Sequence, residues 1–118
     1  MKIIWIAALL ALVLFFPVAA GAHSYPETSE PREGTTVGAV PKEVKILFDG
    51  DIQPPFVQIQ VQGPDGREAH QGKAVAEGAR TLRVGLTGTA PGRYTVKWRV
   101  LATDGHVTEG SYTFTVRP

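Results

Sequence analysis

The chain has 118 residues, with 12 lysine and arginine residues against 11 aspartate and glutamate residues, and no cysteine. A chain of this length suits one domain. The near-neutral charge gives no field that would attract nucleic acid or an anionic membrane, and the lack of cysteine excludes disulfides and thiolate metal sites.

Residues 1–22 have the layout of a secretory signal peptide. Lys2 supplies a brief positive start, residues 3–16 are apolar, Pro17 ends any helix, and Ala20-Gly21-Ala22 is a small-residue cleavage site. The alternative is an uncleaved membrane anchor, because about 20 apolar residues can span a bilayer. Pro17 and the cleavage site favour removal. We therefore predict a signal peptide over residues 1–22 and a mature periplasmic or secreted domain over residues 23–118, in which 11 basic and 11 acidic residues remain.

Strand periodicity and turn signals follow one another along the mature chain. Two prolines in residues 23–33 predict an extended edge segment, and residues 35–41 predict a short strand before a proline turn. Pro54-Pro55 is expected to prevent regular pairing after the turn at residues 49–51, and residues 67–77 are polar and ambiguous. Alternating apolar residues predict the other strands, at residues 44–48, 57–62, 81–86, 94–100 and 111–116.

These segments predict an all-β fold. About seven short strands in about 100 residues, with no helical period, are typical of a Greek-key β-sandwich or barrel of the immunoglobulin-like type. The predicted core consists of the apolar residues on the inward rows of the strands, which are Val44, Ile46, Phe48, Val57, Ile59, Val61, Leu82, Val84, Leu86, Tyr94, Val96, Trp98, Val100, Tyr112, Phe114 and Val116.

The loop between the last two predicted strands carries the candidate functional residues. Asp104 and His106 are two positions apart, so an extended or gently turned backbone directs both to one side, and Gly105 lets the backbone bend. Cleavage after Ala22 gives His23 a free α-amino group, which can form a chelate ring with its own ring nitrogen Nδ1. Together these groups offer three nitrogens and one oxygen, a tetragonal set that suits Cu(II).

The same residues also have simpler interpretations. A histidine at a mature terminus is usually solvated, and an Asp-Gly-x turn usually exists for its backbone conformation. His70 lies in a polar stretch between two turns, and we interpret it as an exposed loop residue. We interpret Trp98 as a core residue, and Glu109 either as an exposed turn residue or as a partner that orients His106.

A longer pattern runs through almost all of the mature chain. Its most specific part is Trp98 followed by Asp104-Gly105-His106 and Gly110. It also contains three further segments, Ser29–Thr35, Val44–Phe48 and Gly92–Val100. With these motifs and a histidine directly after the cleavage site, the mature chain resembles the CopC family of secreted copper-binding proteins, which are small Greek-key β-barrels or sandwiches.

The resemblance implies both a site and a function. In the family, Cu(II) is held by the terminal histidine with the aspartate and histidine of an Asp-x-His motif, and the matching residues are His23, Asp104 and His106. The implied function is copper homeostasis or resistance without enzymatic activity. One Cu(II) per chain would be sequestered or delivered to a CopD-like inner-membrane copper transport protein. No nucleic acid partner and no small-molecule substrate are expected.

The chain departs from the family pattern in two places. Some members have a glutamate just after the strand that matches residues 44–48, where this chain has Gly50 between Asp49 and Asp51, so whether either aspartate approaches the metal stays open. Other members carry a methionine-rich loop that binds Cu(I). The mature chain has neither methionine nor cysteine, the soft ligands that Cu(I) prefers. We therefore predict a single Cu(II) site and no thioether Cu(I) site.

Two other functions fit parts of the sequence. A terminal-histidine chelate with a second histidine is also the core of copper-dependent oxidative enzymes that attack polysaccharides. Those chains are much larger and present broad aromatic surfaces, and here Asp104 would occupy a position that an oxygen ligand needs. The other function is a metal-free interaction sandwich, in which His23 and His106 have no metal-binding role.

Overall fold

Residues 24–118, which the computed structural model describes, form two four-stranded β-sheets. This confirms the prediction of an all-β sandwich. The strands are β1 (Pro26–Glu30), β2 (Thr36–Val37), β3 (Glu43–Phe48), β4 (Ile52–Gln62), β5 (His70–Glu77), β6 (Thr81–Leu86), β7 (Gly92–Ala102) and β8 (Val107–Val116). The described residues form eight strands rather than about seven, because the ambiguous polar stretch forms β5 and pairs with β6. Within this range no helix has the length and apolar character to cross a membrane.

The chain passes repeatedly from one sheet to the other. One sheet has the order β1-β3-β6-β5 and the other has the order β2-β8-β7-β4. Among the strands of residues 24–118, only β5–β6 and β7–β8 are neighbours in both sequence and sheet, and every hydrogen-bonded pair is antiparallel except β2 and β8. Such crossings characterise Greek-key sandwiches. They bring the β3–β4, β5–β6 and β7–β8 connections to one end of the sandwich, where Ile52 N donates to Ala79 O and Thr103 N donates to Asp51 O.

The inner faces of the two sheets form one apolar core. Every residue of the predicted core is buried except Val57, which is half-buried and packs against the core. Tyr94 and Phe114 stack with their ring centroids 5.2 Å apart, and Phe48 meets Trp98 edge-to-face at 5.4 Å. Because each large apolar side chain contributes roughly 1.5–3 kcal/mol on burial, this core can stabilise a domain without disulfides.

The two consecutive prolines lie inside β4 rather than before it. The pairing of β4 with β7 is irregular between Ile52 and Val57, and Pro54 and Pro55 fall in this interval. The expected break in pairing is therefore present, but the strand continues through it. β4 is at the edge of its sheet, where a residue without an N–H group can be accommodated.

Gly110 provides space for the Trp98 indole. The two residues are opposite each other in the β7–β8 ladder, and a Cβ atom built at Gly110 would lie 2.7 Å from Trp98 Cζ2. Trp98 is only 7% exposed, which confirms its prediction as a core residue. The pairing of these two residues in the sequence motif therefore has a packing explanation.

Candidate metal centre

A tight turn joins β7 to β8 and presents the predicted aspartate and histidine. Ala102 N donates to His106 O at 2.8 Å, and Gly105 N donates to Ala102 O at 3.0 Å. Gly105 has φ +90°, which a residue with a Cβ atom adopts only with strain. The glycine between the two candidate ligands is therefore required by the turn itself.

Asp104 and His106 meet, as their spacing predicts. His106 Nδ1 lies 2.7 Å from Asp104 Oδ2, and His106 N donates to Asp104 Oδ1 at 3.0 Å. When Nδ1 carries the proton and donates it to the carboxylate, Nε2 keeps the lone pair that a metal ion binds. The Asp104 side chain is 20% exposed and the His106 side chain 64%. The carboxylate is thus largely covered, while the imidazole that it orients reaches solvent.

The described chain begins beside this turn. Ser24 is fully buried; its hydroxyl donates to Asp51 O at 2.9 Å, and its carbonyl accepts a hydrogen bond from Thr108 Oγ1 at 2.5 Å. His23, the third predicted ligand, lies outside the described residues, so its role stays a prediction.

Asp49 and Asp51, for which an approach to the metal was left open, both have partners within the fold. Asp49 Oδ1 accepts the Tyr25 N–H at 2.8 Å, and Asp51 Oδ1 accepts the Arg80 Nε–H at 2.8 Å. The hydrogen bond with Asp51, and then the charge of Asp51, raise the pKa of the Arg80 guanidinium above its usual value. These contacts give both carboxylates a structural role at the end of the sandwich that holds the candidate site.

The prediction that His70 is an exposed loop residue is wrong. His70 begins β5, its side chain is only 15% exposed, and its Nδ1 accepts the Val61 N–H at 3.0 Å. The partner is a backbone group on the neighbouring strand β4, and the polar residues around His70 hid this pairing in the sequence. For Glu109 the structure favours the exposed interpretation, because its carboxylate lies 3.9 Å from Arg99 Nε on the outer face of the sheet.

The described residues do not by themselves form a complete metal site. From residue 24 to residue 118, no group of three histidine, cysteine, aspartate or glutamate side chains is placed to hold a metal ion. The Asp104–His106 pair therefore needs at least one further donor to complete a site. His70 is held within the fold by Val61, and the remaining histidine of the chain is His23.

Comparison with known proteins identifies the family of this fold. The model of the CopC domain matches residues 26–117. The chain belongs to the CopC family. A solved structure, CopC from Methylosinus trichosporium OB3b, is 36% identical, with a TM-score of 0.75 over 81% of this chain and 95% of that chain.

Two relatives have names that describe copper handling. Copper resistance protein C of Escherichia coli is 30% identical over 90% of both chains. Copper transport protein CutJ of Bacillus subtilis (strain 168) is 29% identical over 95% of this chain, but only over 21% of its own length. Membership of this family supports a copper-handling role for the chain, and it confirms the prediction that the chain is not an enzyme.

Proposed function

We propose that this CopC-family protein holds one Cu(II) ion as cargo outside the cytoplasm, through His23, Asp104 and His106. The observation that carries the proposal is the Asp104–His106 pair, 2.7 Å apart, at the end of the sandwich where the described chain begins. This pair brings two of the three proposed ligands, an imidazole and a carboxylate, to one point on the turn.

The position of Ser24 supports His23 as the completing ligand. The Ser24 carbonyl is bonded to Thr108, two residues after His106. Consecutive Cα atoms are about 3.8 Å apart across a trans peptide bond, so the residue before Ser24 starts from a point close to the turn. If His23 is the first residue of the mature protein, its α-amine and its Nδ1 add two nitrogens to the imidazole of His106.

The donor set favours the oxidised ion. Three nitrogens and a carboxylate oxygen are borderline and hard ligands that suit Cu(II), whereas Cu(I) prefers cysteine and methionine sulfur. The chain has no cysteine, and its one methionine is Met1, which signal-peptide cleavage would remove. We therefore propose one Cu(II) site and no Cu(I) site of the thioether type.

The proposed location is the periplasm or the extracellular space, with delivery to a membrane transport protein of the CopD type as the purpose. The apolar residues 3–16 and the small residues before His23 support export. The match to copper transport protein CutJ supports a membrane transport protein as the partner. This chain matches about one fifth of the length of CutJ, so in CutJ a segment similar to this chain belongs to the same polypeptide as the rest of a transport protein.

The test is a Cu(II) titration against a competing chelator, with mass spectrometry of the exported protein to establish its first residue. We expect one Cu(II) per chain, and we expect His106→Ala and a one-residue extension before His23 each to weaken binding at least tenfold. The matched control is Glu109→Ala, which removes an exposed carboxylate from the same hairpin and should leave the affinity unchanged. Unchanged affinity in the extended protein would refute the terminal chelate.

Acidification provides a second check. The α-amine has an ordinary pKa of roughly 7.7–8.0 and must lose its proton to bind a metal ion. Between pH 7 and pH 5 the apparent Cu(II) affinity should therefore fall by about tenfold or more per pH unit. In the extended protein the dependence on pH should be shallower, because the extension removes this amine from the ligand set.

A further inference from the structure

Two polar residues, Ser24 and Thr108, are buried in the part of the chain that the structure describes, and a hydrogen bond joins them. Ser24 is 0% exposed and Thr108 is 5% exposed. The Thr108 hydroxyl donates to the Ser24 carbonyl, and the Ser24 hydroxyl donates to the Asp51 carbonyl. Burial of a polar group without a hydrogen-bond partner is unfavourable, so these two hydrogen bonds hold the segment strongly in this one arrangement.

The two bonds connect Ser24 to both sides of the turn that carries Asp104 and His106. On the β8 side, Thr108 bonds Ser24 directly. On the β7 side, the Asp51 carbonyl accepts both the Ser24 hydroxyl, at 2.9 Å, and the Thr103 N–H, at 3.2 Å. One carbonyl oxygen therefore joins the start of the described chain to the residue just before Asp104.

Further contacts hold the surrounding backbone. Tyr25 N donates to Asp49 Oδ1, and Asp49 N donates in return to Tyr25 O, both at 2.8 Å. Arg80 binds the Asp51 carboxylate at 2.8 Å and the Asp49 carbonyl at 3.3 Å. The segment that follows His23 is thus tied to the β3–β4 connection as well as to β8.

We propose that Ser24 and Thr108 are positioning residues for the Cu(II) site, which keep His23 close to His106 before copper arrives. This inference rests on the proposed function. The first residues of a domain are usually poorly ordered unless they are tied down, and ordering a loose terminus on binding would cost affinity. With Ser24 held on both sides, the conformational cost of bringing the terminal amine and imidazole to His106 is largely met during folding.

The test uses Thr108→Val, which keeps the size and branching of the side chain and removes the hydroxyl. The matched control is Thr87→Val, which removes a hydroxyl donor to the Ala69 carbonyl at 3.3 Å at the opposite end of the sandwich. Thr108→Ser retains the hydroxyl and should restore the wild-type behaviour. Ser24→Ala breaks only the bond to Asp51 and serves as the second variant if Thr108→Val does not fold.

Two readouts separate positioning from general stability. In the metal-free protein, hydrogen exchange of the Tyr25 amide should rise at least tenfold in Thr108→Val and stay unchanged in Thr87→Val. In the copper-loaded protein, Cu(II) affinity should fall at least tenfold in Thr108→Val, and the visible absorption band should move to longer wavelength, because oxygen donors replace the terminal nitrogens. Neither change is expected in Thr87→Val or Thr108→Ser.

The outcomes distinguish this inference from the proposed function. Faster Tyr25 exchange with unchanged Cu(II) affinity and spectrum would overturn the positioning role, and so would unchanged exchange. If wild-type affinity does not respond to an extension before His23, the proposed function fails instead, and the positioning role fails with it, whatever Tyr25 shows.

Discussion

Tyr112 should make this protein lose stability in alkaline solution. The residue lies on the inner row of β8 and is 7% exposed. Burial raises the pKa of its phenol to about 12, and the Ser29 side chain lowers that pKa only in part. The Ser29 side chain does not reach hydrogen-bonding geometry, and the hydroxyl has no hydrogen-bond partner among residues 24–118.

The size of the effect follows from the two pKa values. A phenol in the unfolded chain has a pKa of about 10, so between about pH 10 and pH 12 the native state holds a proton that the unfolded state has lost. The free energy of unfolding is therefore unaffected below pH 10 and falls as the pH rises towards 12. At about 1.36 kcal/mol per pH unit, the loss from Tyr112 amounts to about 2–3 kcal/mol.

The assay is urea denaturation of the wild type and of Tyr112→Phe at a series of pH values from 8 to 12. At pH 8 the variant should be as stable as the wild type or more stable, because it removes a buried hydroxyl without a hydrogen bond. By pH 12 the wild type should have lost about 2–3 kcal/mol more than the variant. Equal losses in the two proteins across this range would show that the buried phenol is not the cause.

Three further predictions concern residues of the motif and the misassigned histidine. Gly110→Ala should destabilise the fold by about 1–3 kcal/mol, because the new methyl group meets the Trp98 indole at 2.7 Å; a thermal melt unchanged from wild type would contradict this. Asp104→Asn can still accept the His106 N–H, so the melt should hardly change while Cu(II) affinity in a chelator competition falls about 10–100-fold; undiminished affinity would show that the charge of Asp104 is dispensable. His70→Leu should cost about 1–3 kcal/mol in urea denaturation, because the Val61 N–H loses its acceptor, and should leave Cu(II) binding unchanged. Weaker copper binding in a folded His70→Leu protein would place His70 in the site.

Short-range sequence patterns were sufficient to predict most strands and the Asp104–His106 pair. Alternation of apolar residues reports directly on a strand with one buried face, since side chains alternate with a period of two. This is why the inner rows of β3, β6, β7 and β8 were all predicted correctly. The Asp104–His106 pair was predictable for a similar reason, because two residues in one short turn cannot move far apart and Gly105 marks the turn.

Other features depend on partners far away in the chain. The partly buried face of β5 carries small residues such as Ala74 and Ala76, and Val75 on the other face is exposed, so its sequence shows no apolar alternation. His70 is largely covered in the fold, where its Nδ1 accepts the Val61 N–H of β4. The burial of Ser24 and Thr108 could not be seen in the sequence either. They are 84 positions apart, and as isolated residues a serine and a threonine predict exposure.

The sequence by itself thus determined the class of fold, most of the core and the chemistry of the candidate ligands, since these follow from residue type and short-range spacing. Only the tertiary structure decided which polar residues are buried and that Ser24 lies beside the β7–β8 turn. Those outcomes depend on how the two sheets pack and on which ends of the strands meet, and the Greek-key crossings bring Ser24, the β3–β4 connection and the β7–β8 turn together.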